Sequence, residues 1–234
     1  MPQPRFGKGF PTGSVDFTNG NLNIATPVLP QSCTVFCFAN RTVNAGDCTL
    51  ICIGGDSLGT ANSFLGITSA FGALQFFWNG TNFIAAPGVN SLKTWYAYAF
   101  TGNGIVGSAY TVDKTGNLSS TSGSSGGGIV AGSPQQLNIS NDDEGDGNWQ
   151  GLIAGVLVYN FPMTSKDIRA QARQLAPITE RGLISNMRIR NIGNAGFDSA
   201  LPGRVWTTSG TLVRSTSSPP IPELFKQPWN WFDS

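Results

Sequence analysis

The chain has 234 residues, 40% hydrophobic and only 12% charged, with a formal net charge of +1 and no histidine. That length suits one large domain with extensions, and the missing imidazole excludes Ser-His-Asp and Cys-His nucleophile systems, histidine zinc sites and histidine pH switches built from this chain alone. Low charge near neutrality also argues against a general electrostatic grip on nucleic acid or on a membrane surface.

The opening residues MPQPRFGKGFPTGS hold three prolines and no apolar run, so they read as an N-terminal arm (1–12) and not as a signal peptide. The chain is therefore expected to be made and folded in a cytosol where thiols stay reduced. From Gly13 to about Tyr159 short apolar or alternating runs are punctuated by Gly, Asn, Ser and Pro. This pattern predicts strands near Ser14–Phe17, Asn21–Ala25, Thr34–Ala39, Thr49–Ile53, Ser63–Ile67, Leu74–Trp78, Asn82–Ala86, Thr94–Thr101, Ile105–Val112, Gln136–Ile139 and Gln150–Tyr159. So many short strands need two packed antiparallel sheets. Asn79-Gly80 predicts a two-residue hairpin loop between FFW and TNF, and NLSSTSGSSGGG (Asn117 to Gly128) predicts a flexible surface loop.

One helix is predicted in MTSKDIRAQARQLAP. Thr164 or Ser165 caps it, Asp167 lies in its first turn, Pro177 stops it, and Ile168, Ala172 and Leu175 share a face. After Pro177 further strands are expected at Leu183–Arg190, Val205–Trp206 and Thr211–Val213, before a Pro-rich extended arm and an aromatic tail.

Four features can carry chemistry. The loop NDDEGDGNW sets Asp142, Asp143, Glu144 and Asp146 in one turn, a set of oxygen donors of the kind calcium takes, or else a solvated acidic turn. Cys33 and Cys37 share one strand face, as do Cys48 and Cys52, and 33+52 equals 37+48. If those strands formed a hairpin the thiols would face each other in pairs; cross-strand disulfides, a zinc site of four thiolates and thiols packed as small hydrophobes are all open, the last fitting a cytosol best. Surface aromatics such as Trp78 and Tyr110 either stack on sugar rings or pack in the sandwich. The tail PPIPELFKQPWNWFDS offers Leu224, Phe225, Trp229, Trp231 and Phe232 on a Pro-stiffened arm that docks on a neighbour or folds back on its own sandwich.

Charge is uneven: residues 141–160 carry four acidic and no basic groups, whereas residues 161–234 carry nine basic and five acidic ones. Complementary patches on neighbouring subunits would explain that, and Arg188 and Arg190, alternating along one strand, suit a protein contact.

The order of segments GSVDFTNGNLNIAT, CTVFCFAN, TWYAYAFTGNGIVGSAYTVDKTG and NWQGLIAGVLVYNFPMTSKDIRAQARQL resembles the concanavalin A-like sandwich in its laminin-G-like form, over about residues 13–176. The segment from Leu183 through VWTTSGT to Pro219-Pro220 is similar to the tail that follows this sandwich in some bacteriophage virion proteins, where it returns to the sheet as a strand; NMRIR departs from that pattern. The resemblance implies an all-β, two-sheet antiparallel jelly roll with one short helix and an extended C-terminal arm (177–234). Members of this superfamily bind glycans, proteins or lipids, often beside calcium; others are glycosidases with paired carboxylates on one strand. With three glutamates in all, none in such a strand pair, this chain is expected to be non-enzymatic and without a cofactor. The expectation is a virion protein, a capsid decoration or other head- or tail-associated component that contacts other virion proteins and its own copies. A lectin-like module that binds host glycans is the alternative.

Overall fold

The computed structural model describes residues 14–26, 32–43, 48–54, 63–68, 73–78, 82–85, 91–103, 106–124, 135–140, 148–188, 207–217 and 219. They form β1 (Ser14–Thr26), β2 (Ser32–Arg41), β3 (Cys48–Gly54), β4 (Ser63–Thr68), β5 (Ala73–Trp78), β6 (Asn82–Ala85), β7 (Trp95–Asn103), β8 (Val106–Val112), β9 (Leu118–Ser124), β10 (Gln135–Ile139), β11 (Gly151–Tyr159), α1 (Ser165–Gln171), β12 (Leu183–Arg188) and β13 (Thr207–Ser215). All strand pairs are antiparallel, in the path β6-β5-β4-β3-β10-β1-β11-β2-β7-β8-β9, with β12 beside β11 and β13 beside β1.

The path doubles back at β1, because residues from both of its arms meet in one core. Leu50, Ile51, Leu137 and Ile139 from β3 and β10 pack with Cys33, Val35, Cys37, Tyr98, Phe100, Ile153, Val156 and Val158 from β2, β7 and β11. These strands obey the two-residue period: odd positions of β2 enter this core, while Phe36 and Phe38 enter a second one on the outer face. The second core also takes Trp95, Ala97, Ala99, Leu157 and Tyr159, and α1 covers part of it through Ile168. Both faces of β2 are thus buried, which explains its near-continuous apolar sequence.

β1 is one strand where the sequence predicts two. Asp16 Oδ1 accepts the Thr18 amide at 2.9 Å and its hydroxyl at 2.6 Å, and the pairing with β13 shifts register between Asp16 and Asn19. The turn chemistry is absorbed as an irregularity inside a strand, where β1 leaves β11 (Val15 opposite Ile153) for β10 (Leu22 opposite Ile139).

The predicted Gly/Ser loop is in part β9, paired with β8 from Val112–Leu118 to Val106–Ser124. The hairpin is set by its turn: Asp113 Oδ1 accepts the amides of Thr115 (2.8 Å) and Asn117 (2.9 Å), and Ser108 meets Ser122 hydroxyl to hydroxyl at 2.7 Å. A ladder of backbone bonds at an exposed edge needs no apolar side chains. Trp78 pairs with Asn82, leaving three residues between β5 and β6 instead of the two expected.

Helix α1 is shorter than predicted. Thr164 and Asp167 form a reciprocal capping box at its start, as the sequence implies. At its end Gln171, fully buried, turns its amide onto the carbonyls of Gln174 (3.0 Å) and Ala176 (2.8 Å), while the chain tightens into bonds from Arg173 to Ala170 and from Gln174 to Gln171. The side chain thereby replaces the helix's own hydrogen-bond ladder before Pro177 is reached.

Candidate functional site

The residues that flank the acidic segment are tied together. Ser140, with φ of 69°, donates its hydroxyl to the Phe17 carbonyl (3.1 Å), accepts the Trp149 amide (3.0 Å) and gives its own amide to Leu50 (3.0 Å). Residues 141–147, with Asp142, Asp143, Glu144 and Asp146, lie outside the described residues. Among the described residues no three His, Cys, Asp or Glu side chains gather as a metal site would require.

Beside this anchor β2 ends and β11 begins. Gly151 faces Arg41, and a Cβ on Gly151 would stand 2.1 Å from the Asn40 carbonyl oxygen, so only glycine permits the two backbones to approach. Thr42 closes the end by sending both its amide (2.9 Å) and its hydroxyl (3.1 Å) to the Gln150 carbonyl. Arg41 is 4% exposed, yet its Nε and Nη1 have no hydrogen-bond partner among the described residues. The indole Nε1 of Trp149, fully buried against Tyr98 with ring centroids 6.4 Å apart, likewise has no partner among the described residues. Sequence reading missed both residues: Arg41 ends an apolar strand as an ordinary surface cation would, and only its odd position in β2 signalled burial.

The cysteine hairpin does not form. β2 pairs with β11 and β7, whereas β3 pairs with β10 and β4, because the jelly-roll path sends the two strands to opposite layers. Cys33 lies opposite Gly102, Cys37 opposite Tyr98 and Val156, and Cys52 opposite Asn138 and Phe64. The equal index sums therefore do not bring thiols face to face. Cys33 and Cys37 are free and buried; burial pushes the Cys33 thiol up to about 12 against one lowering hydrogen bond with the Gly102 backbone, and it raises Cys37 well above its ordinary value.

Of the other predicted residues, Tyr110 is partly buried against the outer core and Trp78 lies in β5 opposite Ser63. Arg188 ends β12 opposite Gly155, and Arg190 lies outside the described residues with Leu224, Phe225, Trp229, Trp231 and Phe232. The arm's first residues do turn back on the sandwich. Ser217 accepts the Trp95 indole at its hydroxyl (3.1 Å) and the Ser14 hydroxyl at its carbonyl (2.7 Å), and Pro219 is buried.

Solved structures share this architecture. A Bacteroides ovatus protein provisionally assigned to carbohydrate binding aligns over 91% of this chain and 62% of its own, with TM-score 0.69 and 18% identity. The native heptameric SAP-like pentraxin of Limulus polyphemus aligns over 89% of this chain and 96% of its own, with TM-score 0.62 and 14% identity. The enzymatically active domain of bacteriophage CBA120 tailspike protein 2 aligns over 80% of this chain and 34% of its own, with TM-score 0.57 and 16% identity. The fold is a concanavalin A-like, laminin-G-like jelly roll. No protein-family model and no curated protein matches the sequence. The jelly roll hosts several activities among these relatives in shape, and at such identities it carries none of them over by itself.

Proposed function

We propose that this chain is a non-enzymatic structural protein of a bacteriophage particle, a decoration or other head- or tail-associated component held to its neighbours partly through its C-terminal arm. The observation that carries this reading is β13. A segment resembling the post-sandwich tail of phage virion proteins returns to the sheet and pairs with β1 from Ser14–Ser215 to Asn23–Thr207. The shape shared with a phage tailspike domain supports the same reading. The arm then runs on from Pro219 with its apolar residues Leu224, Phe225, Trp229, Trp231 and Phe232, the side-chain types that dominate interfaces. Purified particles that encode the chain are expected to contain it in fixed stoichiometry by mass spectrometry, and removal of residues 220–234 to release it. Particles without the chain, or full retention after the deletion, overturn the proposal.

A second reading is favoured by the carbohydrate-binding assignment of the Bacteroides relative in shape: a lectin-like module that recognises host glycans, with calcium held by Asp142, Asp143, Glu144 and Asp146. It predicts chelator-sensitive binding on a glycan array, whereas the structural reading predicts none.

A further inference from the structure

β13 has a partner on one side only. Ser14 faces Ser215, Asp16 faces Val213 and Asn23 faces Thr207 across β1, and among the described residues no strand lies along the other edge. That edge presents a row of backbone donors and acceptors that any strand of matching length can complete. Native edges of this kind are usually blocked by Lys, Pro, an inward charge or a bulge.

From Thr211 to Ser215 the sequence is Thr-Leu-Val-Arg-Ser, with no proline, no lysine and one charge. Gly210, with φ of 74°, lies before this stretch, and the extra residue of the β1–β13 pairing falls on β1, between Asp16 and Asn19 opposite Val213 and Thr211. Leu212 packs on the inner core, and Val213 points outward at 55% exposure, the highest among the large apolar side chains of the described residues. Exposed β-branched area beside an open ladder is what a cross-strand partner uses.

We propose that β13 is a self-association edge: two copies of the chain pair antiparallel through Thr211–Ser215 about a two-fold axis at Val213. In that register Val213 meets its own copy, Leu212 meets Arg214, and Thr211 meets Ser215. A second β13 is the fitting occupant on two grounds. No like charges stand directly opposite, since Arg214 faces Leu212 and the stretch has no other charge. The partner must also bring an unbroken run of N–H donors. The terminal segments of this chain break theirs with prolines at 2, 4 and 11 and at 219, 220, 222 and 228, whereas β13 contains none. A two-fold pairing closes on itself and yields a dimer rather than a fibre. The pairing is independent of whether the protein acts on a particle or on a glycan.

Sedimentation of the intact chain tests it. Wild type is expected to sediment as a dimer whose population rises with concentration. Val213→Lys, which sets two ammonium groups opposite each other at a solvent-facing position, is expected to weaken the dimer at least about tenfold while circular dichroism and melting stay unchanged. Wild type that remains monomeric at high concentration, or a Val213→Lys variant that dimerises as well as wild type, overturns the proposal. If Val213→Lys fails to fold, Val213→Cys decides. Under mild oxidation it is expected to form a covalent dimer that Ser209→Cys does not, and no cross-link at 213 overturns the pairing.

Discussion

The indole nitrogen of Trp95 donates to the hydroxyl of Ser217 at 3.1 Å, joining β7 to the chain just past β13 across 122 positions of sequence. With the Ser14 hydroxyl on the Ser217 carbonyl, this bond fixes where the C-terminal arm leaves the sandwich. A double-mutant cycle of Trp95→Phe and Ser217→Ala in urea denaturation is expected to show a coupling of about 1 kcal/mol, the usual net worth of a neutral hydrogen bond. A coupling near zero would mean that the arm is held without it.

Gln171 is the knot of the segment behind α1. Its amide serves Gln174, Ala176 and, as acceptor, both the Tyr159 hydroxyl (3.1 Å) and the Ile178 amide (3.0 Å). Gln171→Leu keeps the volume and strands these groups, so unfolding free energy is expected to fall by about 2–4 kcal/mol. Glu at this position lacks the two N–H donors and is expected to be no better.

Gly151 tests the close approach of β11 to β2. Gly151→Ala forces a methyl group against the Asn40 carbonyl and the Arg41 backbone, and is expected to destabilise by about 2 kcal/mol or more, read as a lower melting temperature. Ala at the nearby Gly155, where the nearest atom is 3.4 Å away, is the matched control with a smaller loss.

Cys33 and Cys37 are expected to resist iodoacetamide in the folded protein and to react at once in denaturant. Their raised thiol pKa has a stability consequence. The unfolded thiol ionises near its ordinary value of 9.0, whereas folded Cys33 holds its proton to about 12. The stabilising difference is therefore complete below pH 9 and is lost as pH rises toward 12, so melting temperature should drop across that window. Cys33→Ala, itself less stable at neutral pH, should flatten the drop.

Asp113 works in the opposite direction. Slight burial raises its carboxyl, but the hydrogen bonds from Thr115 and Asn117 outweigh this and hold it below the usual carboxylate value of 3.8. A depressed pKa stabilises above the unfolded value and loses that contribution as pH falls through the folded one. The protection of the Asn117 amide against hydrogen exchange, taken relative to its intrinsic rate at each pH, is expected to fall on acidification below that point, and Asp113→Asn to loosen the β8–β9 hairpin at neutral pH.

Much of this fold is written in alternation and turn residues. The apolar run of β2, the capping box at Thr164 and Asp167, and the short strands between Gly and Asn clusters are local patterns, and local patterns survive tertiary context. What stayed hidden depended on which strands become neighbours. The cysteine sums are valid only for a hairpin, and nothing local says that β2 and β3 part to opposite layers. The strand at Leu118–Ser124 was masked because its ladder is backbone and its side chains are the serines of a linker. The buried donors of Arg41 and Trp149 became visible only once the register set Arg41 beside Gly151.

The pairing of β1 also sets a schedule for folding. Its strand partners among the described residues lie at 135–139, 152–153 and 207–215, so β1 waits for these pairings until most of the residues that follow it have been made. Contacts so distant in sequence make closure slow, and the waiting segment keeps Val15, Phe17 and Leu22 in water meanwhile. A cell that makes this protein in quantity must keep that nascent strand from pairing with the wrong edge until the last third of the chain arrives.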